Sequence, residues 1–197
     1  MSKLIDKYNN DEVISYDTYE NDFLYNLKFN LESIEEVDFI KCKFENVSFR
    51  DLYLGKTTFI NCEFTNCYFI NVNLNYITFK DCKLTDVVFE NGKATFLNVI
   101  DSVVQYCNFS LKSITKGVFT SKFTSCSYHY ISLMGCDFAT SEFNDLELDN
   151  LICNDVHFNN CKISNIIGDI NNLKGATISM DQALNFILAM GIEIKEL

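Results

Sequence analysis

Apolar side chains recur at every fifth residue over most of this 197-residue chain. Nineteen positions in steps of five, from Phe29 to Phe119, are all apolar, and the series resumes at Phe123, one residue out of step, and continues to Ile163. On a helix these positions would spiral, and on a flat strand they would alternate between faces. They fit the short sides of a polygonal coil whose central residue always points inward, so the pattern predicts a solenoid of stacked coils.

Two further positions of each five-residue unit also repeat. A small or medium apolar residue stands two residues before the centre, and Asn or Asp, which tolerate turn geometry, recurs two residues after it. Eight of the nine cysteines occupy the small position, and Cys153 occupies a centre. With no CxxC motif, we interpret the cysteines as buried thiols that fill the core, and we expect no metal site and no cofactor.

These positions resemble the pentapeptide-repeat family, whose consensus is A(D/N)LXX, and the run FINCEFTNCYFINVNL carries the resemblance. The resemblance covers about residues 24–166. It implies an all-β fold, namely a right-handed, quadrilateral (four-sided) parallel β-helix solenoid with twenty residues per coil. The spacing of Cys42, Cys62 and Cys82 by twenty agrees with four sides. We expect an N-terminal arm or cap at 1–22, a β-helix of about seven coils at 23–166, and a C-terminal helix and dimerisation segment at 167–197.

The C-terminal segment predicts an α-helix. Ser179 and Gln182 form a capping-box signature, so the helix should run from about Met180 to Met190, with Gly191 as its stop. It is apolar on most of its circumference, so one stripe can cap the last coil while the rest favours a homodimer. The predicted dimer interface consists of Leu184, Phe186, Ile187, Leu188 and Met190.

The repeat breaks between Phe119 and Phe123, within the stretch 113–127. Two interpretations stay open for this break. One is a register slip of the chain. The other is a short loop that contacts a partner, which would involve Lys116, Gly117, Ser121 and Lys122.

The net charge of −11 is unevenly distributed. Residues 11–38 contain nine acidic residues and one Lys, residues 41–122 contain ten basic and seven acidic residues, and residues 123–161 contain six acidic residues and no Lys or Arg. Binding to nucleic acid is not expected, because it needs cationic contacts with phosphate. The acidic segment is either a solubilising surface or a partner-binding patch, made of Asp137, Glu142, Asp145, Glu147, Asp149 and Asp155.

No motif predicts catalysis. The sequence contains no glycine-rich phosphate loop, no GxSxG and no zinc-like Cys/His spacing, and His157 is expected at the surface. We therefore predict a protein that is not an enzyme. The sequence also lacks a signal peptide and an apolar run of membrane-spanning length, which predicts a cytoplasmic protein without a membrane partner.

The segment LKGATIS…QALNFILAMGIEI is similar to the tail of the Qnr-type quinolone-resistance pentapeptide-repeat proteins and their microcin-immunity and mycobacterial relatives. The matching residues are Leu173, Gly175, Ile178, Gln182, Leu184, Leu188, Gly191, Ile192 and Ile194. This resemblance implies a homodimer through the C-terminal helix. It also implies binding to DNA gyrase or topoisomerase IV, which relieves poisoning by quinolones.

A long anionic rod suggests how such binding would work. Two chains of −11 each give a dimer of −22, or about one net charge per 3.5 Å of length, against about one per 1.7 Å in duplex DNA. The leading hypothesis is therefore DNA mimicry that protects a topoisomerase from quinolones. The alternatives are an immunity protein against a gyrase-targeting toxin, or an adaptor or structural solenoid that binds an unrelated protein.

Overall fold

A computed structural model of the chain describes residues 3–10, 12–189, 192, 193 and 195. A short N-terminal helix is followed by about eight coils of parallel strands and a C-terminal helix. The helices are α1 (Lys3–Asn9) and α2 (Met180–Ala189), with a 3-10 turn at Ile170–Leu173. The strands are β1 (Ser15–Glu20), β2 (Phe23–Tyr25), β3 (Lys28–Phe29), β4 (Ser33–Ile40), β5 (Lys43–Glu45), β6 (Ser48–Arg50), β7 (Tyr53–Ile60), β8 (Glu63–Thr65), β9 (Tyr68–Ile70), β10 (Asn73–Lys80), β11 (Lys83–Thr85), β12 (Val88–Glu90), β13 (Lys93–Gln105), β14 (Asn108–Ser110), β15 (Ser113–Thr115), β16 (Val118–His129), β17 (Ser132–Met134), β18 (Glu142–Asp149), β19 (Ile152–Asn154), β20 (Val156–His157), β21 (Lys162–Ile163), β22 (Ile166–Gly168) and β23 (Ala176–Thr177).

Each regular coil contains twenty residues. Strand β7 pairs in parallel with β10, and β10 pairs with β13, always with partners twenty residues apart. Four five-residue units fill one coil, which confirms the four-sided parallel β-helix. We number the sides by their centres: side 1 contains Phe59 and Phe79, side 2 Phe64 and Leu84, side 3 Phe69 and Phe89, and side 4 Leu54 and Leu74.

The predicted central residues fill the interior of the solenoid. Every centre from Phe29 to Phe158 is buried, and only Ile163, in the last coil, is half-buried. The rings of Phe44 and Phe64 stack with centroids 4.5 Å apart, and rings of neighbouring sides meet edge to face, as Phe59 and Phe64 do at 79°. Both are favourable aromatic arrangements, so the stacked columns form one continuous core.

The cysteines are buried thiols, as predicted. The Cys67 thiol, for example, donates to the carbonyl of Phe44 at 3.3 Å. Burial raises the pKa of Cys67 to about 11, because the thiolate would lose its hydration there. These thiols therefore act as small core groups with a weak hydrogen bond.

The corner residues adopt the left-handed backbone conformation. Asn61, Asn71 and Asp81 have φ values of 53°, 56° and 54°. Asn and Asp tolerate this region better than most residues, which explains their recurrence at the corners. Corner side chains also bond between coils, since Asn71 Nδ2 donates to Asp51 Oδ1 at 2.8 Å.

The break in the repeat is a register slip inside a continuous strand. Along β13 and β16, Val99 pairs with Phe119, twenty residues later, whereas Val103 pairs with Lys122, nineteen residues later. One corner residue is missing from this coil. The next coil returns to twenty, as the pairing of Phe123 with Phe143 shows.

The loop interpretation of this break was wrong. Lys116 is an ordinary corner residue with φ of 55°, and Gly117 is buried beside it. Ser121 is buried, and Lys122 is exposed on β16. Within the described residues 113–129, the chain follows the wall of the solenoid and no loop projects.

The N-terminal end of the solenoid is covered by α1. Leu4 is buried there, and the ring of Tyr8 meets Phe29 edge to face at 5.3 Å. The first coil begins within the segment 1–22, because β1 already pairs with β4. This earlier start gives about eight coils where the sequence had suggested about seven.

The C-terminal end is covered by α2, whose start at Met180 was predicted. Gln182 is buried, and its Nε2 donates to the carbonyl of Cys161 at 2.8 Å. Its Oε1 accepts from the backbone N–H of Ser179 at 2.8 Å, which forms one half of the predicted capping box. Met190 and Gly191 lie outside the described residues.

Candidate partner-binding surface

The six acidic residues of the predicted patch are spread around almost one full coil, from Asp137 to Asp155. Strand β18 places Glu142 on side 2 and both Glu147 and Asp149 on side 3. Asp137 lies on side 1, where its backbone forms an isolated β-bridge with His157 of the next coil. The structure therefore divides the predicted patch into three separate parts.

Glu142 lies between two lysines. Its carboxylate is 2.9 Å from Lys162 Nζ and 3.3 Å from Lys122 Nζ. Lys162 and then Lys122 hold the pKa of Glu142 below its usual range, because both stabilise the carboxylate. Both lysines stand twenty residues from Glu142, just outside the acidic segment 123–161. Glu142 is thus part of a mixed-charge row on side 2 and does not extend an acidic surface.

Asp145, Glu147 and Asp149 form what we name the acidic cluster. Asp145 occupies a corner with φ of 57°, and the other two flank the buried Leu148 on side 3. Strand alternation directs both toward solvent on one face. His129 of the preceding coil has its Nδ1 3.7 Å from Asp149 Oδ2. Three of the six predicted residues are therefore brought together.

Asp137 and Asp155 lie elsewhere and are used locally. Asp137 Oδ1 accepts a hydrogen bond from the backbone N–H of Ala139 at 2.8 Å. Asp155 occupies a corner between sides 4 and 1, and its Oδ1 is 3.3 Å from His157 Nε2. Asp137 therefore stabilises a local turn and Asp155 contacts His157, and both lie apart from the acidic cluster.

A surface of opposite charge, which we name the basic face, was not predicted from the sequence. It consists of four consecutive coils of sides 4 and 1, which the pairing of β7, β10, β13 and the following strands aligns. Its segments are 53–60, 73–80, 93–100 and 113–120, and its lysines are Lys56, Lys80, Lys93 and Lys116, all exposed. These segments contain no Asp or Glu. Sorting the sequence by its twenty-residue period would have revealed this surface.

An aromatic ridge runs along the corner between sides 4 and 1, in the middle of the basic face. The rings of Tyr76 and Phe96 stack with centroids 4.5 Å apart, and Lys116 Nζ lies 5.5 Å from the centroid of Phe96. Lys56 continues the ridge and donates to Glu36 of the preceding coil at 2.7 Å. The Glu36 hydrogen bond raises the pKa of Lys56, because the carboxylate favours the ammonium form.

Helix α2 exposes an apolar stripe. Leu184 and Leu188, both named in the predicted dimer interface, are 53% and 56% exposed, and Met180 extends the stripe at 85%. Phe186 differs, because it is buried against the last coil and belongs to the core. Ile187 is half-buried, and Met190 lies outside the described residues. Phe186 is therefore not available to an interface.

Across residues 3–10, 12–189, 192, 193 and 195, no group of His, Cys, Asp and Glu is arranged to hold a metal ion. Neither helix in that part of the chain has the length and apolarity to cross a membrane.

Comparisons with known proteins agree with the repeat. The family model "Pentapeptide repeats" matches residues 48–86 and 62–93, with eight copies of the repeat. No curated protein matched the sequence. Among solved structures, HetL from the cyanobacterium Nostoc sp. strain PCC 7120, a pentapeptide-repeat protein involved in the regulation of heterocyst differentiation, has a TM-score of 0.67 at 10% identity. The match covers 89% of this chain and 76% of HetL.

QnrB1, a plasmid-mediated fluoroquinolone resistance protein, also matches. A trypsin-treated form has a TM-score of 0.47 at 19% identity, with 89% of this chain and all of that chain covered. The full-length form has a TM-score of 0.42 at 18% identity and the same coverage. The HetL likeness concerns the fold, and the five-residue units matched over 48–93 continue in the structure from Ile14 to Ile163. The chain therefore has the pentapeptide-repeat fold, and its repeats match the family model over residues 48–93.

Proposed function

We propose that this protein is a non-enzymatic DNA mimic that binds DNA gyrase or topoisomerase IV and protects the enzyme from quinolone-type poisons. The observation that carries the proposal is the position of the acidic cluster on a slim, negatively charged rod, close to the end covered by α2. The similarity of the C-terminal segment to the Qnr-type tail supports the same target. The proposal requires a cytoplasmic protein.

The dimensions of the rod support this mechanism. About eight coils at a strand spacing of about 4.8 Å give a length of about 38 Å. An end-to-end dimer would approach twice that length and would bring two acidic clusters toward its middle. A basic channel that holds duplex DNA would attract such a rod by electrostatic steering, because the two surfaces carry opposite charge.

The exposed stripe of α2 supports a homodimer. Met180, Leu184 and Leu188 follow each other at intervals of four residues, so they lie on one side of the helix. The opposite side of α2 is occupied by Phe186 and Gln182, which pack on the last coil. An apolar stripe exposed at the end of a rod favours contact with a second copy about a two-fold axis.

The test is a gyrase supercoiling assay with ciprofloxacin, in which this protein is titrated at low and at raised salt. We expect supercoiling to be restored, and restored less at raised salt, because salt screens exposed charges. Inhibition without rescue would contradict protection, and the absence of any effect would contradict binding to gyrase.

A pair of matched variants tests the site. The first combines Asp145→Lys, Glu147→Lys and Asp149→Lys, and the second combines Glu32→Lys, Glu35→Lys and Asp38→Lys on exposed positions of the second coil. Both change the net charge equally. We expect only the first variant to lose rescue, and equal loss in both would contradict a role for the acidic cluster.

A further inference from the structure

The basic face ends at acidic residues in the coils before and after it. In the coil before it, the equivalent segment contains Glu35, Glu36 and Asp38, and in the coil after it the equivalent position carries Asp137. Between these limits the surface carries only positive charge, in a chain of net charge −11. Among the described residues, Lys80 and Lys93 form no ion pair. Their charges are therefore available to a partner.

The aromatic ridge is maintained at a conformational cost. Tyr76 and Phe96 have φ values of 56° and 55°, a region that bulky residues avoid. The other three corners mostly carry Asn or Asp, as at Asn61, Asn66 and Asn71. Asn or Asp at this corner would satisfy folding equally well. Two large rings held at a strained corner, Tyr76 exposed and Phe96 half-buried, indicate a binding role.

The geometry of the ridge limits the kind of partner. Tyr76 covers one face of Phe96, and Lys116 lies over its ring, so a nucleobase cannot stack on Phe96 without separating them. The ring edges remain open, and they carry the positive end of the aromatic quadrupole. These ring edges and the lysines of the basic face attract carboxylates, and the negative charge of the whole chain opposes nucleic acid.

We propose that the basic face binds an acidic segment of a partner protein, with carboxylates at Lys56, Lys80, Lys93 and Lys116 and an apolar side chain against the edges of Tyr76 and Phe96. This surface is distinct from the acidic cluster on side 3 and from the stripe of α2. Its role is independent of topoisomerase binding. The protein then carries two surfaces of opposite charge, each for its own partner.

The probe is a fluorescently labelled 20-residue poly-L-glutamate peptide, with a 20-nucleotide oligo-dT strand in parallel, and binding is measured by anisotropy with the full chain. One variant neutralises the basic face with Lys56→Gln, Lys80→Gln, Lys93→Gln and Lys116→Gln. Its matched control carries Lys43→Gln, Lys83→Gln, Lys122→Gln and Lys162→Gln, the exposed lysine row of side 2. The two variants have equal net charge.

We expect polyglutamate to bind the unmodified chain, and the basic-face variant to bind it about tenfold more weakly or worse. The side 2 variant should keep most of the affinity. Tyr76→Asn with Phe96→Asn, which introduces the residue typical of the other corners, should keep the fold and weaken binding of an acidic peptide with interspersed leucines.

Several outcomes would overturn the proposal. Absence of polyglutamate binding, or equal loss in both lysine variants, would mean that the basic face is not a site. Stronger binding of oligo-dT through the same lysines would assign the face to nucleic acid. Self-association that depends on these lysines, measured by sedimentation, would make a second copy the occupant.

Discussion

The backbone N–H of Ser102 donates a hydrogen bond to Oγ of Ser121 at 2.9 Å, at the point where the register between coils changes. Ser121 Oγ in turn donates to the carbonyl of Val99 at 2.9 Å. Ser102 and Ser121 occupy equivalent inward positions of successive coils, and in earlier coils this column of positions holds Cys62 and Cys82. A hydroxyl is a stronger acceptor than a thiol, which explains why the column changes to serine at the slip.

Replacing Ser121 by Ala should therefore destabilise the protein. The substitution leaves the N–H of Ser102 without its acceptor in a buried place, which costs about 1–3 kcal/mol. Urea unfolding followed by circular dichroism measures the change. Ser113→Ala, at a half-buried position on side 4, is the control and should cost less than about 0.5 kcal/mol. Equal effects would refute the proposed role of the Ser121 hydroxyl.

Because the core consists of stacked side chains, we expect the free energy of unfolding to depend steeply on side-chain volume. Phe64 is buried, and its ring stacks on Phe44 and meets Phe59 edge to face. Phe64→Ala should lower the free energy of unfolding by about 3–5 kcal/mol. Phe64→Leu should cost much less, because Leu84 fills the same column one coil later. Similar losses in the two variants, measured by urea unfolding, would contradict a volume-limited core.

The period of the sequence was enough to predict the coil, because the inward positions of a solenoid must be apolar in every unit. Phe29 and Phe158 stand at opposite ends of a single pattern, and both are buried. The corners were predictable for a similar reason, since Asn61 and Asp81 suit a left-handed backbone.

Surface charge was predicted poorly, because charge was counted along the chain although contacts form between coils. Glu142 was assigned to an acidic patch, but Lys122 and Lys162 stack on it from neighbouring coils. The basic face escaped notice because its lysines alternate in sequence with acidic residues such as Asp81 and Glu90, which lie elsewhere on the coil.

The attachment of α1 to the first coil should depend on pH. Lys3 donates to Asp17 at 2.6 Å, and Lys7 Nζ lies 3.0 Å from the same carboxylate. The Lys3 hydrogen bond in particular holds the pKa of Asp17 well below its usual range. A carboxyl whose pKa is lowered by folding stabilises the folded state above its unfolded pKa of about 3.9, and this contribution is lost as the pH falls.

Asp17→Asn should therefore loosen α1 at neutral pH, by about 1 kcal/mol. Hydrogen exchange of the amides in α1 measures this local opening. In the unmodified chain the protection of α1 should fall as the pH drops below about 4, whereas in the variant it should change little. Glu20→Gln, an exposed position on the same strand, is the control. A variant that keeps the acid-dependent loss would contradict the assignment to Asp17.

The proposed dimer depends on the exposed apolar stripe of α2, and substitutions in this stripe test it. Leu184→Glu with Leu188→Glu places charges on exposed apolar positions without changing the packing of Phe186 on the last coil. We expect a dimer in sedimentation equilibrium for the unmodified chain and a monomer for this variant, since two carboxylates in an apolar interface remain unpaired. Leu184→Met with Leu188→Met preserves the apolar surface and should remain dimeric. If the glutamate variant sediments like the unmodified chain, α2 is only a cap, and the extended dimer assumed for DNA mimicry does not form through it.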